Sequence, residues 1–405
     1  MHVANSPLLD DLDSGHMSDR ANVRVIRDIA GIEEIRSLWE SWQDHPNSDI
    51  DFYLSRFKLR KEFIRPHIIV AYQGGKPDAF LVGRLDQGEV DLKVGHVHIS
   101  RPHVRTLSFL YAGLLGNGSR ENSQMIAHEI LDNLRQGEAQ MAVLPKLTVG
   151  SPLHDVALTV PGFLARDWFH APHLHCTMQV PKRIEDIYAG ISSKGRKNLR
   201  LQTKKLLSRF PGKVEIKEFR HPGDLDDLMR DVECVARKTY QRGLGVGFED
   251  TPETRERYSL MAQKGCLRSY VLYLAGEPAA FWVGVVYSGT AHLEFLGFHP
   301  KFEDYSPGTF LVTKALEGFP HEGVKAVDFG YGEEGYKQRF GKQRSQEATI
   351  RVFRPTPKGL VLKAVTLQTE LIDQLLKKAL ERAGLRLRLK RAWGRYVQRI
   401  RKTAR

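Results

Sequence analysis

The chain has 405 residues, 41% hydrophobic and 27% charged, which is enough apolar material for two or three packed domains and excludes a disordered chain. Three scattered cysteines (Cys176, Cys234, Cys266) exclude a disulfide framework and a four-cysteine zinc site, and no apolar run reaches the length of about 18 residues that a spanning helix needs. The net charge of +13 is uneven: Leu376 to Arg405 hold twelve Lys and Arg against Glu381, leaving 49 basic and 47 acidic residues elsewhere, so the body carries no charge suited to a protein-wide nucleic-acid groove.

Residues 1–20 have neither a basic flank nor an apolar run, so no secretory signal is expected and the compartment is read as cytoplasmic. Ile32–Trp42 has helical periodicity. An apolar, β-rich run then leads into Gly75–Gly83, GKPDAFLVG, and the pair reads as a β-hairpin. A strand over Thr106–Ala112, a loop at Gly116–Ser119, a helix over Ser123–Arg135 and a strand over Gln140–Leu144 follow. The Gly116–Ser119 loop precedes a helix and is read mainly as a plain loop, with anion binding as the alternative.

His170, His173, His175 and Cys176 lie close together, but their spacing fits no standard metal site and no metal is expected. Ile184–Phe210 is rich in Lys and Arg and reads as a helix that opens the second half, with a solvated or phosphate-contacting basic face. Leu225–Tyr240 is again helical in pattern, and a second β-rich run leads into Gly276–Gly284, GEPAAFWVG. Six of the nine positions match Gly75–Gly83 at a constant offset of 201. A strand over Ala291–Phe298, a loop at Asp304–Gly308, a helix over Thr309–Phe319 and a strand over Ala326–Phe329 repeat the order of the first half.

Two copies of one unit follow from this: an α+β fold with mostly antiparallel sheets and one parallel crossover in each half. The expected organisation is a flexible segment over 1–20, domains over 21–182 and 183–356, and a basic amphipathic helical tail over 357–405. In the tail, Leu389, Trp393, Tyr396, Val397 and Ile400 form an apolar stripe edged by arginines. Such a helix packs on its own body, lies on an anionic membrane surface, or docks on another anionic partner.

Ser306-Pro307-Gly308-Thr309, followed by Asp328-Phe329 and then by Gly332, Glu334, Tyr336 and Lys337, resembles the CelD/BcsL-type, BioF-like branch of the GNAT acyltransferases, which is related to the FemAB group. The resemblance is strong over Ile184–Phe353 and looser over Val23–Val180. It implies tandem GNAT-like folds and transfer of an acyl group, most simply acetyl, from acyl-CoA to an amine or hydroxyl. The acceptor is then a small molecule, glycan or peptide of the kind used in exopolysaccharide or envelope synthesis. A FemAB-like use of aminoacyl-tRNA, the one case that brings in nucleic acid, and a non-catalytic binding role stay open.

The resemblance places the carrier pyrophosphate at Ser306, Pro307, Gly308 and Thr309. A loop turning into a helix has free N–H groups and a favourable dipole for that purpose. The loop departs from the usual GNAT pattern in having one glycine and no arginine at its start. Glu294, in an apolar strand before the loop, is a candidate base or, alternatively, a cross-strand ion-pair partner or an outward-facing residue. Tyr336 can protonate a departing thiolate or pack. Lys337 can bind an anion or pair with Asp328, and Asp328 ends a strand that points at the cleft.

Overall fold

The computed structural model describes residues 22–382, apart from 90–91, 95–96, 101, 169, 244, 246 and 333–334. The amphipathic stripe of the tail, the N-terminal segment and Glu334 lie outside the described residues.

The first half runs β1 (Val23–Ile26), α1 (Ile29–Glu34), α2 (Arg36–Trp42), α3 (Ile50–Leu59), β2 (Phe63–Gln73) and β3 (Lys76–Glu89). A short pair, β4 (Leu92–Val94) and β5 (Val97–Ser100), precedes β6 (His103–Gly116), α4 (Arg120–Gln136), β7 (Met141–Thr148), α5 (Pro152–Thr159) and β8 (His173–Gln179). The second half begins with α6 (Ile184–Ala189), α7 (Ser193–Arg209), β9 (Val214–Phe219), α8 (Leu225–Ala236), α9 (Tyr240–Gly243) and α10 (Pro252–Gln263). It continues through β10 (Ser269–Leu274), β11 (Glu277–Tyr287), β12 (Thr290–Phe298), α11 (Pro307–Gly318), β13 (Ala326–Tyr331), α12 (Gly335–Phe340), β14 (Gln343–Phe353) and α13 (Pro357–Arg382).

Local chemistry accounts for the helix starts. Asp49, Ser119, Ser192 and Thr251 cap α3, α4, α7 and α10 with side-chain oxygens, and Pro252 and Pro307 occupy first turns where a missing N–H costs nothing. The Ile32–Trp42 pattern divides at Ile35 into α1 and α2, and the Leu225–Tyr240 pattern ends as α8 at Ala236.

One twelve-stranded sheet joins the halves, in the order β1-β2-β3-β6-β7-β14-β8-β13-β12-β11-β10-β9. The order is a palindrome. The two repeat hairpins, β2–β3 and β10–β11, carry a bulge at equivalent places, Ala71/Tyr72 and Leu272/Tyr273. Parallel pairs β6–β7 and β12–β13 flank the centre, each closed by a crossover helix, α4 or α11. The last strand of each half crosses over: β8 pairs with β13, β14 pairs with β7, and β8 and β14 pair with each other. The exchange pairs what would otherwise be open edges at β7 and β13.

The core lies on both faces of this sheet. Apolar residues of β10–β13 pack on α7 and α11 on one face, and on α8 and α10 on the other. Phe52 of α3 enters that second cluster from the first half. Fully buried Asp49, at the cap of α3, accepts hydrogen bonds from Lys264 Nζ (2.6 Å) and from the Tyr287 hydroxyl (2.8 Å). The halves are therefore joined by shared strands, a shared apolar cluster and a buried charged contact.

Candidate active site

The halves enclose a cleft of ≈ 1550 Å³ at the centre of the sheet. Ser306, Gly308, Thr309, Glu294, Asp328, Tyr336 and Lys337 all line it. Pro307 is buried in the first turn of α11 and is not part of the lining.

The loop before α11 is built by a short 3₁₀ turn over Pro300–Tyr305 that ends at Ser306, whose φ of 51° and ψ of 48° are left-handed. A non-glycine residue in this region carries local strain. Ser306 starts α11 without a side-chain cap, and its carbonyl accepts the Phe310 N–H at 3.1 Å. The first-turn amides of Gly308 and Thr309 have no intrahelical acceptor, so they remain as donors at the positive end of the helix.

Strands β12 and β13 are paired only over Thr290–His292 and Ala326–Asp328. Beyond that rung they part. Glu294 is the extra residue of a bulge on β12, between the pairs Val283–Phe295 and Gly284–Leu293. The bulge bends the strand and opens backbone N–H and C=O groups toward the cleft.

Glu294 is held by Arg257 and by the hydroxyl of fully buried Tyr258, which donates to it at 2.6 Å. Burial pushes its carboxyl up, but the Arg257 charge and these hydrogen bonds outweigh burial and leave it below the usual range. Of the sequence alternatives, the structure thus supplies an ion-pair partner, from a helix rather than a neighbouring strand.

Asp328 sits at the centre of a second network. Its Oδ1 accepts from His175 Nε2 at 2.6 Å and from the Gly330 N–H at 2.7 Å, and its Oδ2 lies 3.4 Å from His292 Nδ1. The other nitrogen of His175, Nδ1, is 2.8 Å from Glu347 Oε1. Glu347 also accepts from the Tyr331 hydroxyl. A histidine between two carboxylates donates from both nitrogens and is an imidazolium. Burial opposes that charge, but the hydrogen bonds to Asp328 and Glu347 prevail and push His175 up to about 9. Burial also works against the Asp328 charge, but the hydrogen bonds from His175 and His292 hold this carboxyl far below its ordinary value.

The motif lysine meets this network from one side. Lys337 is buried, and its Nζ donates to the Tyr331 carbonyl. The Tyr336 ring packs edge-on against Phe329, with centroids 6.0 Å apart. From the first half, Lys146 places its Nζ 3.9 Å from the Tyr331 ring centroid and 4.9 Å from that of Tyr111, and burial lowers its pKa. His45 stacks edge-on against His292 with centroids 4.6 Å apart, and burial lowers it to about 3, so it is neutral.

Sequence reasoning missed His292, Glu347, Lys146 and His45, and it named His175 only within a group whose spacing fits no standard metal site. A usable signal existed for His292, which lies two residues before Glu294 in the same strand. None existed for His175 and Glu347, because their strands are the exchanged pair.

One group of potential metal donors occurs among the described residues: His45, His292 and Asp328, with ligand atoms within 4.8 Å of one another. His45 Nδ1 already accepts the Asn47 N–H at 3.0 Å, which places its proton on Nε2. His292 directs Nδ1 at Asp328. The His170–Cys176 group is dispersed: His175 is in the carboxylate network, and the Cys176 thiol faces the Gly332 carbonyl at 3.8 Å.

No helix among the described residues is long and apolar enough to cross a membrane. No curated protein matches the chain. Among solved structures, FemX is similar with a TM-score of 0.57 at 10% identity, over 82% of this chain and 98% of that one. The L-PGS of Bacillus licheniformis has a TM-score of 0.47 at 13% identity, over 84% and 96%. A tandem GNAT protein from the clavulanic acid biosynthesis pathway also has a TM-score of 0.47, at 12% identity over 83% and 99%. Residues 193–338 match the profile of the acetyltransferase (GNAT) domain, and the fold of the chain is a tandem of GNAT-like α+β halves.

Proposed function

We propose that the protein is an acyltransferase that moves an acyl group, most simply acetyl, from acyl-CoA to an amine or hydroxyl within a ternary complex in the central cleft. One observation carries this reading. His292, oriented by Asp328, has a buried Nε2 without a hydrogen-bond partner on the wall of the cleft that also holds the α11 loop.

The pyrophosphate of the donor is assigned to the Gly308 and Thr309 amides and the Ser306 and Thr309 hydroxyls. The parted edge of β12 supports an extended pantetheine arm by main-chain hydrogen bonds. His292 Nε2 takes the acceptor proton as the acceptor N or O bonds to the thioester carbonyl carbon. The C–S bond then breaks, and the departing sulfur takes a proton from Tyr336. Asp328 stabilises the His292 imidazolium that forms, and His175 keeps Asp328 ionised. Glu294 is charged and engaged by Arg257 and Tyr258, which supports a positioning part for it at the bulge. Lys337 holds the Tyr331 carbonyl and so the turn after β13. The acceptor lies toward Lys146, Tyr111 and Tyr331, between the halves, as sites at domain junctions often do.

The test is donor choice followed by turnover. Purified protein is screened by thermal shift with CoA, acetyl-CoA, longer acyl-CoAs and aminoacyl-tRNA, and thiol release is then followed with an amine panel. Stabilisation by CoA compounds and thiol release that needs His292 are expected. Stabilisation by aminoacyl-tRNA alone transfers the reading to the FemAB-like alternative. Ligand binding without turnover for any acceptor returns it to a binding protein.

A further inference from the structure

A second cavity of ≈ 520 Å³ lies on the other side of α12 from the cleft and shares no lining residue with it. Tyr336 and Lys337 face the cleft, whereas Gly335, Gln338 and Arg339 line this pocket. Lys342 and Arg344, at the start of β14, and Gly190 to Ser192 and Gly195, at the α6–α7 junction, complete it.

The charge balance here is unusual for this molecule. Three cations, Arg339, Lys342 and Arg344, converge, and among the described residues no carboxylate lines the pocket. Several other arginines meet acids: Arg242 meets Glu233 and Glu249, Arg255 meets Asp250 and Asp226, and Arg268 meets Glu322. Arg339 Nη1 is shielded from water yet has no hydrogen-bond partner among the described residues. Burial lowers its pKa. A buried guanidinium N–H without an acceptor is costly, and a bound acceptor removes that cost.

The backbone makes room for the same chemistry. A Cβ on Gly190 would fall 1.8 Å from Lys342 Nζ, so this ammonium lies directly against the Gly190 backbone. A Cβ on Gly341 would meet the Lys337 carbonyl at 2.8 Å and Cys176 Cβ at 2.9 Å, so a side chain here would force the connection from α12 to β14 to shift.

We propose that this pocket binds a phosphate or pyrophosphate group, with Arg339 as the inner donor and Lys342 and Arg344 as the rim. Guanidinium and ammonium groups converging without a counter-charge among the described residues match a multiply charged oxyanion better than a single carboxylate. The pocket is separate from the carrier loop. Lys205, on the same helix, donates to the Asp304 carbonyl beside Ser306, and the offset of thirteen positions from Ser192 spans about 20 Å of α7. Two anionic groups can therefore be held at once, and the inference does not depend on the acyl-transfer reading. The oxyanion belongs either to a soluble diphosphate compound or to a lipid headgroup.

The test uses the full chain and a residue-resolved readout that the basic tail does not affect. Lysines are labelled with an amine-reactive ester, and the Lys342 rate is followed by mass spectrometry under three conditions: with inorganic pyrophosphate, with uridine diphosphate, and with vesicles containing phosphatidylglycerol. Pyrophosphate slows Lys342 labelling in a saturable way, and Arg339→Gln raises the half-protecting concentration about tenfold, as loss of a charge-assisted contact does. Arg344→Gln gives a smaller shift in the same direction and serves as the readout where Arg339→Gln does not fold. Protection by uridine diphosphate identifies a soluble source, and protection by vesicles identifies a headgroup. Absence of Lys342 protection by all three probes overturns the proposal. So does a protection midpoint that neither substitution moves.

Discussion

His292 and Asp328 face each other on the last rung shared by β12 and β13, with Nδ1 of one 3.4 Å from Oδ2 of the other. Immediately beyond this rung the strands separate, so the pair stands where the sheet itself opens the cleft. Its position follows from backbone register, and loop conformation plays no part in it.

Replacing His292 by Gln keeps the ring's approximate volume and removes the base. Turnover is expected to fall by about a hundredfold or more, with donor affinity little changed. Steady-state thiol release combined with CoA titration checks this. A loss confined to KM assigns His292 to binding.

Glu294→Gln leaves the largely buried charge of Arg257 without its partner. Removing one member of a buried ion pair costs about 3–5 kcal/mol. Urea unfolding of the variant is expected to show a lower midpoint, and the double variant Glu294→Gln/Arg257→Met is expected to recover part of the loss. An unchanged midpoint in the single variant returns Glu294 to an exposed, independent role.

His175 has a folded pKa raised from 6.5 to about 9. The sign follows from linkage: the stabilisation is fully present below 6.5 and is lost as pH rises through about 9. Asp328 shifts the other way, so its contribution is present above its ordinary value of 3.8 and is lost as pH falls through its lower folded value. Unfolding free energies measured between pH 6 and pH 10 should decline above neutrality, and His175→Gln should flatten that decline. An alkaline decline of equal size in the variant excludes His175 as its source.

At Gly308, a Cβ would meet Phe298 Cδ1 at 3.6 Å, an ordinary contact. Gly308→Ala is therefore expected to fold and to bind donor nearly as the parent does. Gly308→Trp is expected to fill the approach to the α11 amides and weaken CoA binding by about tenfold or more, the equivalent of a lost charge-assisted contact. Equal affinities for the two variants remove the carrier from this loop.

Deleting residues 385–405 removes most of the surplus positive charge. Binding to anionic vesicles is expected to drop while thermal stability and thiol release persist, and the remaining affinity should fall with added salt. Vesicle binding equal to that of the full chain excludes the tail as a membrane contact.

Much of the architecture was legible along the chain. The offset of 201 between Gly75–Gly83 and Gly276–Gly284 announced a duplicated unit, and the structure places both segments in equivalent hairpins with equivalent bulges. The motif residues from Ser306 to Lys337 were legible as one constellation through the resemblance they carry, and they fall on one helix–strand–helix unit, α11, β13 and α12. Seven of those chosen as site residues share the wall of one cleft.

What the chain alone decided was the set of elements, since hydrophobic period, turn residues and caps act over a few neighbours. The tertiary structure decided which strands meet. A period of two states which face is buried but not which edge is paired, so nothing in HLHCTMQ places His175 beside Asp328, 153 residues away. The exchange of β8 and β14 makes that contact. The bulge at Glu294 likewise interrupts the alternation that would have assigned His292 and Glu294 to one face, and only the tertiary structure shows that Glu294 is tied to Arg257 while His292 turns Nδ1 toward Asp328.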